Sequence, residues 1–78
     1  MLTLERLKSL KPGDVICIPR DGRNGPERWK VNGKVQTWKR DPSRVRVPVK
    51  HGLYSYAQIM EQDVDSLNRM FAYIEGEE

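Results

Sequence analysis

RVRVPVK, at residues 44–50, alternates valine with arginine, proline or lysine. A period of two residues is typical of a β-strand that buries one face and exposes the other. The three valines are therefore predicted to face a core, and the two arginines and the lysine to share the opposite face. Pro48 cannot donate a backbone hydrogen bond, which predicts an edge strand or a β-bulge at this position.

Asn32-Gly33 is the strongest short turn signal in the chain, and it separates two strands predicted at residues 28–31 and 34–39. A loop of three residues, with the glycine left-handed in a bulge, would pair Trp29 with Val35 and keep apolar residues on one face. The sequence therefore predicts a hairpin here, followed by a meander.

The remaining predicted elements are a helix over residues 4–10, strands over 14–19, 44–50 and 53–59, a loop over 20–27, a turn at Asp41-Pro42-Ser43 and an acidic tail over 75–78. From Asp63 the apolar period changes to three and four, which predicts a helix over residues 64–74. The alternative is a break after Leu67 and a final strand over 70–74. These elements predict one mainly β domain, with four or five antiparallel strands bent into a small barrel between two short helices.

Charge is segregated along the sequence. Residues 28–50 contain eight Lys or Arg residues and one acid, Asp41, whereas residues 61–78 contain six acids and one base, Arg69. A polyanion would be attracted to such a basic stretch through long-range electrostatics and counterion release. The alternative is a solvated strand whose like charges discourage edge-to-edge aggregation. The candidate nucleic-acid-binding residues are Arg28, Lys30, Lys34, Trp38, Lys39, Arg40, Arg44, Arg46 and Lys50.

Trp38 is the one aromatic residue of this set. The predicted hairpin places it on the wetter face among the cations, where an indole could stack on unpaired bases. The alternative is a core or rim residue beneath long lysine stems. Tyr54 and Tyr56 would share a face and add stacking surface if that face is open.

The sequence does not indicate a disulfide, a metal site, an enzyme active site or a membrane-spanning segment. The chain has one cysteine, Cys17, and one histidine, His51, too few for an internal disulfide or a structural zinc site. No nucleophile, acid and base occur together in a recognisable pattern, so we expect no enzymatic activity, no cofactor and no metal. The longest apolar run, residues 15–18, is too short to cross a bilayer, and we expect a soluble cytoplasmic protein with no membrane partner.

Gly13-Asp14-Val15-Ile16-Cys17-Ile18, followed by Gly33-Lys34-Val35, resembles a KOW-type segment over about residues 13–50. The two glycine marks are farther apart than is usual in that family, because of the loop over 20–27. The resemblance implies a small barrel of Src-homology-3-like shape that binds nucleic acid, or ribosomal or polymerase partners.

Two functions follow from these observations. The first is a non-enzymatic nucleic-acid-binding module that uses the basic sheet face and Trp38. The alternative is a protein-interaction adaptor or a homo-oligomer, in which the leucine face of residues 4–10, or a stripe of Val64, Leu67 and Phe71, completes its burial against another chain.

Overall fold

A computed structural model of the chain describes residues 1–19, 26–52 and 55–77. These residues form two helices and six strands, which in chain order are α1 (Leu4–Lys8), β1 (Val15–Ile18), β2 (Glu27–Val31), β3 (Gln36–Trp38), β4 (Asp41–His51), β5 (Ser55–Met60), α2 (Asp63–Arg69) and β6 (Tyr73–Ile74). The predicted mainly β fold with two short helices is confirmed, and the antiparallel strands curl into a half-barrel.

The long strand β4 is the centre of the sheet, because other strands pair with both of its edges. β5 runs along one edge, and β2 and β3 share the other. β1 then pairs with the free edge of β2, and β6 with that of β1. The predicted alternation in β4 is confirmed, since Val45, Val47 and Val49 are 0% exposed.

Both helices cover the valine face of the sheet. Leu7 of α1 and Leu67 of α2 lie in the same buried cluster as the β4 valines. Thr3 caps α1 by accepting a hydrogen bond from the Arg6 backbone at 3.1 Å, but the helix ends at Lys8, earlier than the predicted residue 10. Among the described residues, both helices therefore lie on the same side of the sheet.

Pro48 lies in a central strand, so the predicted edge strand or bulge is wrong. Its carbonyl accepts a hydrogen bond from the Asn32 amide at 3.1 Å, on the edge that β2 and β3 share. In an antiparallel strand the N–H and C=O of one residue point to the same side. The backbone nitrogen of Pro48, which has no hydrogen to donate, therefore faces the gap between the end of β2 and the start of β3. Neither strand pairs with β4 at this point, so no hydrogen bond between strands is lost.

The predicted hairpin at Asn32-Gly33 is also wrong. β2 and β3 lie one after the other along the same edge of β4, and Trp29 is opposite Ile16 rather than Val35. Gly33 is not left-handed. A Cβ on Gly33 would lie 3.1 Å from the Pro48 ring, so a larger residue here would require that ring to move by a few tenths of an ångström.

The true hairpin joins β3 to β4 through a two-residue turn, Lys39-Arg40. The turn predicted at Asp41-Pro42-Ser43 is wrong, because these residues already belong to β4. The Asp41 carboxylate accepts hydrogen bonds from the Ser43 hydroxyl and amide at 2.5 and 3.2 Å, and these bonds hold the pKa of Asp41 below its usual value. The aspartate thus stabilises the start of β4 instead of a turn.

The C-terminal helix predicted over residues 64–74 is wrong beyond Arg69, and the alternative of a break followed by a strand is closer. The Ala72 and Phe71 amides donate to the Leu67 and Asn68 carbonyls at 3.0 and 3.1 Å. This is the Schellman arrangement that ends a helix, with Phe71 in the left-handed conformation (φ 59°). The chain reverses and β6 pairs with β1, placing Ile74 opposite Ile16.

Replacing Phe71 by glycine should stabilise the fold. Phe71 is 80% exposed, so little packing is lost, and glycine adopts a positive φ without strain. We expect a gain of about 0.5–1 kcal/mol in the free energy of unfolding, measured by urea denaturation. The control, Phe71→Ala, removes the same ring but keeps the strain, so equal stability of the two variants would contradict this explanation.

Several predicted features fall partly or wholly outside the described residues. The strand predicted over 53–59 is described from Ser55 and continues to Met60, whereas Leu53 and Tyr54 lie outside. So do residues 20–25 of the predicted loop and Glu78 of the tail. Within the described ranges, no helix combines the length and apolarity needed to cross a membrane.

Candidate nucleic-acid interface

The solvent face of β4 carries the cations that the alternation predicts. Arg44, Arg46 and Lys50 lie on the side opposite the buried valines, and cross-strand neighbours continue the basic face. Lys50 is opposite Lys30 of β2 and Tyr56 of β5. Like charges directly opposite each other repel, so a bound anion would relieve a repulsion built into the sheet. We call the group Lys30, Lys34, Trp38, Lys39, Arg40, Arg44, Arg46 and Lys50 the basic face.

Trp38 is half-buried and lies against two arginines of the neighbouring strand. The guanidinium carbon of Arg44 is 4.1 Å from the centre of the indole ring, and that of Arg46 is 5.7 Å from it. Both distances are within the range of cation–π attraction. We call these three residues the Trp38 cluster. The sequence offers two alternatives for Trp38: an exposed indole among cations, or a core or rim residue beneath lysine stems. The indole is half-buried, and the side chains found against it are those of two arginines.

A cleft of about 690 Å³ lies beside the Trp38 cluster. Its polar lining includes Lys34, Gln36, Arg46 and Gln58, and Pro48 contributes an apolar wall. The Nε donor of Arg46 is buried, and none of the described groups accepts a hydrogen bond from it. The cleft therefore combines the positive charge of Lys34 and Arg46 with the side-chain amides of Gln36 and Gln58, and the buried Nε of Arg46 is not itself open to a ligand.

Most of the basic face is not neutralised by the chain. Of the described carboxylates, none forms an ion pair with any lysine or arginine of the basic face. Lys39 and Arg40 are exposed in the β3–β4 turn, at the Trp38 end of the face. Two carboxylates lie near these cations without forming ion pairs with them: Asp41, whose pKa is lowered chiefly by Ser43 and also by the charge of Arg44, and Glu75, which lines a cleft with Lys30 and Lys50.

Arg28 differs from the other predicted site residues, because it is paired within the chain. Its guanidinium donates to both Glu75 carboxylate oxygens, at 2.7 and 2.5 Å, and this hydrogen bonding raises the pKa of Arg28. The pairing arises because β6 brings Glu75 to the edge of β1. Glu77 similarly accepts from Arg6, which holds the pKa of Glu77 below its usual value. Glu75 and Glu77 therefore lie at β1 and α1, whereas Glu61 accepts a hydrogen bond at 3.1 Å from the amide of Val45, which lies between the two arginines of the Trp38 cluster in the sequence.

Two further side chains lie on the same side of the sheet as the basic face: Tyr56, which the sequence indicated as stacking surface if its face is open, and Gln58, which the sequence analysis missed. Tyr56 is 66% exposed, with the Lys50 ammonium 5.4 Å from its ring centre. Gln58 is opposite Pro48 and lines the cleft. The alternation of residues 55–60 could have placed both side chains on the solvent face, once β5 was known to pair with β4.

The one cysteine and the one histidine of the chain are not part of the basic face. Cys17 is a buried free thiol in β1, and the His51 ring stacks on Trp29 with centres 4.7 Å apart on the helix-covered side. The described ranges contain no group of three or more His, Cys, Asp or Glu residues that could hold a metal ion.

Comparisons with known proteins give no independent assignment of this arrangement: no protein-family model, no curated protein and no solved structure matches the chain.

Proposed function

We propose that this chain is a non-enzymatic nucleic-acid-binding module whose contact surface is the basic face. The observation that supports the proposal is that Lys30, Arg44, Arg46 and Lys50 lie on one face of the sheet and Lys34 lines the adjoining cleft, none of them in an ion pair with a described carboxylate. Lys30, Arg44, Arg46 and Lys50 lie in β2 and β4, so the sheet fixes their spacing, and Lys34, Lys39 and Arg40 lie in the connections on either side of β3. Proteins bind nucleic acid with such surfaces by replacing the counterions condensed on the phosphates.

A salt titration tests the proposal. Fluorescence anisotropy of labelled 12-nucleotide single-stranded and duplex DNA and RNA would give the dissociation constant at several salt concentrations. If five to seven cations contact phosphates, log K against log salt should have a slope of about −4.5 to −6 for duplex DNA. Absence of binding at low salt, or an affinity that hardly changes with salt, would contradict the proposal.

A second candidate function is protein interaction, and one surface favours it. Phe71 is exposed beside Met70, which borders a largely apolar cleft of about 230 Å³ lined also by Ile18, Trp29 and Leu67. The surfaces expected from the sequence contribute less, since Leu7 and Leu67 are buried in the chain's own core. An adaptor or homo-oligomer predicts a mass in solution that rises with concentration and falls for Phe71→Ser, measured by light scattering after size exclusion.

A further inference from the structure

The basic face offers a nucleic acid two kinds of contact, phosphate binding by its cations and base stacking on Trp38. We infer that the Trp38 cluster holds the phosphodiester backbone, and that Trp38 positions Arg44 instead of stacking on a base. This inference rests on the proposed nucleic-acid-binding function and specifies its ligand chemistry.

The position of Arg44 over the indole is the first reason to expect that Trp38 does not stack on a base. Its guanidinium carbon lies 4.1 Å from the ring centre, which places the cation over one face of the indole. A base could stack on that face only by displacing the arginine and losing the cation–π attraction. Trp38 is half-buried, so the indole does not stand free of the sheet as a stacking platform would.

Stacking on the indole leaves the donors of Arg44 available. The guanidinium is planar, and its N–H groups point outward within its plane, where they match the oxygens of a phosphate. The side chain is held by the ring before any ligand arrives, so less rotational freedom is lost when a phosphate binds. No described carboxylate forms an ion pair with these donors.

Arg46 adds a second donor group beside the first. Its guanidinium carbon is 5.7 Å from the same ring, and its side chain lines the cleft. Side chains two residues apart on one face of a strand are separated by about 6.6 Å. Arg44 and Arg46 can therefore reach neighbouring phosphate groups of one strand, whatever the bases are.

A mutant cycle on three ligands tests the inference. The dissociation constants of the wild type, Trp38→Ala, Trp38→Phe, Arg44→Lys and the double variant Trp38→Ala/Arg44→Lys would be measured for a thymidine 12-mer, an abasic 12-mer with the same backbone, and a 12-base-pair duplex. If Trp38 acts through Arg44, Trp38→Ala should weaken binding to all three ligands by the same factor, roughly fivefold. Arg44→Lys keeps the charge but loses the flat donor group, and should cause a similar loss that does not add to that of Trp38→Ala.

Base stacking would give a different pattern. A loss confined to the thymidine 12-mer, with abasic and duplex binding unchanged, would overturn the inference while leaving the proposed function intact. Absence of wild-type binding to all three ligands would overturn both. Trp38→Phe keeps an aromatic face and should retain most of the affinity. Thermal unfolding of each variant shows whether it is folded, and if Trp38→Ala is not, Arg44→Lys carries the test alone: an unchanged affinity for the abasic 12-mer would overturn the inference.

Discussion

Replacing Arg46 by glutamate should weaken binding to a short duplex by about tenfold or more at about 0.1 M salt. Arg46 lies at the middle of the basic face, beside the cleft and near Trp38. The substitution removes a cation and adds a charge that repels phosphates. Because one phosphate contact is lost, the slope of log K against log salt should also become less steep by about 1.

Arg69→Glu is the matched control for Arg46→Glu. It changes the net charge by the same amount, but Arg69 is exposed on α2, in the layer that covers the valine face. We expect its effect on affinity to be small, since the charge is on the other side of the sheet. Equal losses for the two variants would mean that net charge alone governs binding and that the basic face is not the contact surface.

Replacing Leu7 by alanine should destabilise the fold by about 3 kcal/mol, the largest stability effect that we predict. Leu7 is 0% exposed and packs α1 into the same cluster as the β4 valines. A helix of five residues has no stability of its own, so its contribution depends on this docking. In a domain of this size the total stability is on the order of 3–5 kcal/mol, so the variant should keep only about 0–2 kcal/mol and unfold at a much lower urea concentration than the wild type.

The measurement for Leu7→Ala is urea denaturation followed by circular dichroism. Leu4→Ala is the matched control, because Leu4 is in the same helix but only partly buried, and its loss should be clearly smaller. Similar midpoints for Leu7→Ala and the wild type would show that α1 is not part of the cooperative core.

Local pattern was enough to predict the faces of the sheet. The valines of β4 alternate with cations over seven residues, and strand geometry turns that alternation directly into a buried and a solvent face. The same reasoning placed Arg44, Arg46 and Lys50 together. These predictions depend on the chain being extended there, and not on which strands are its neighbours.

Pairing partners could not be predicted in the same way. Asn32-Gly33 has the local signature of a hairpin, but the Val31 backbone bonds with Gly13 and Asp14, at 2.9 and 2.8 Å, and β2 is thereby held between β1 and β4. Local turn preference is worth little beside a full set of ladder bonds and core contacts on both edges. The choice among partners is a property of the whole chain.

The end of α2 shows a second limit. Glycine normally occupies the left-handed position that ends a helix, and no glycine marks the stop in this sequence. Phe71 takes that position, so the apolar period appeared to continue to Ile74. The burial of Ala72 and Ile74, and the pairing of β6 with β1, offset the strain.

The sequence therefore predicted which residues belong to the candidate site better than it predicted their contacts. Contact between Trp38 and Arg44 requires the Lys39-Arg40 turn that folds β3 onto β4, which differs from the turn predicted at 41–43. Likewise, Arg28 is paired with Glu75 only because β6 joins the sheet next to β1. The first contact depends on which local turn forms, and the second on a long-range strand pairing that the local sequence does not encode.

The two indoles provide the most direct test of where a nucleic acid binds. Trp38 belongs to the basic face, whereas Trp29 is on the helix-covered side, where its indole donates to Glu27 at 3.2 Å. Their N–H resonances can be followed in a two-dimensional NMR titration with a 12-base-pair duplex and assigned with Trp38→Phe. We predict that the Trp38 signal moves in proportion to the bound fraction while the Trp29 signal stays in place. Binding that moves the Trp29 signal and leaves Trp38 unchanged would contradict the account.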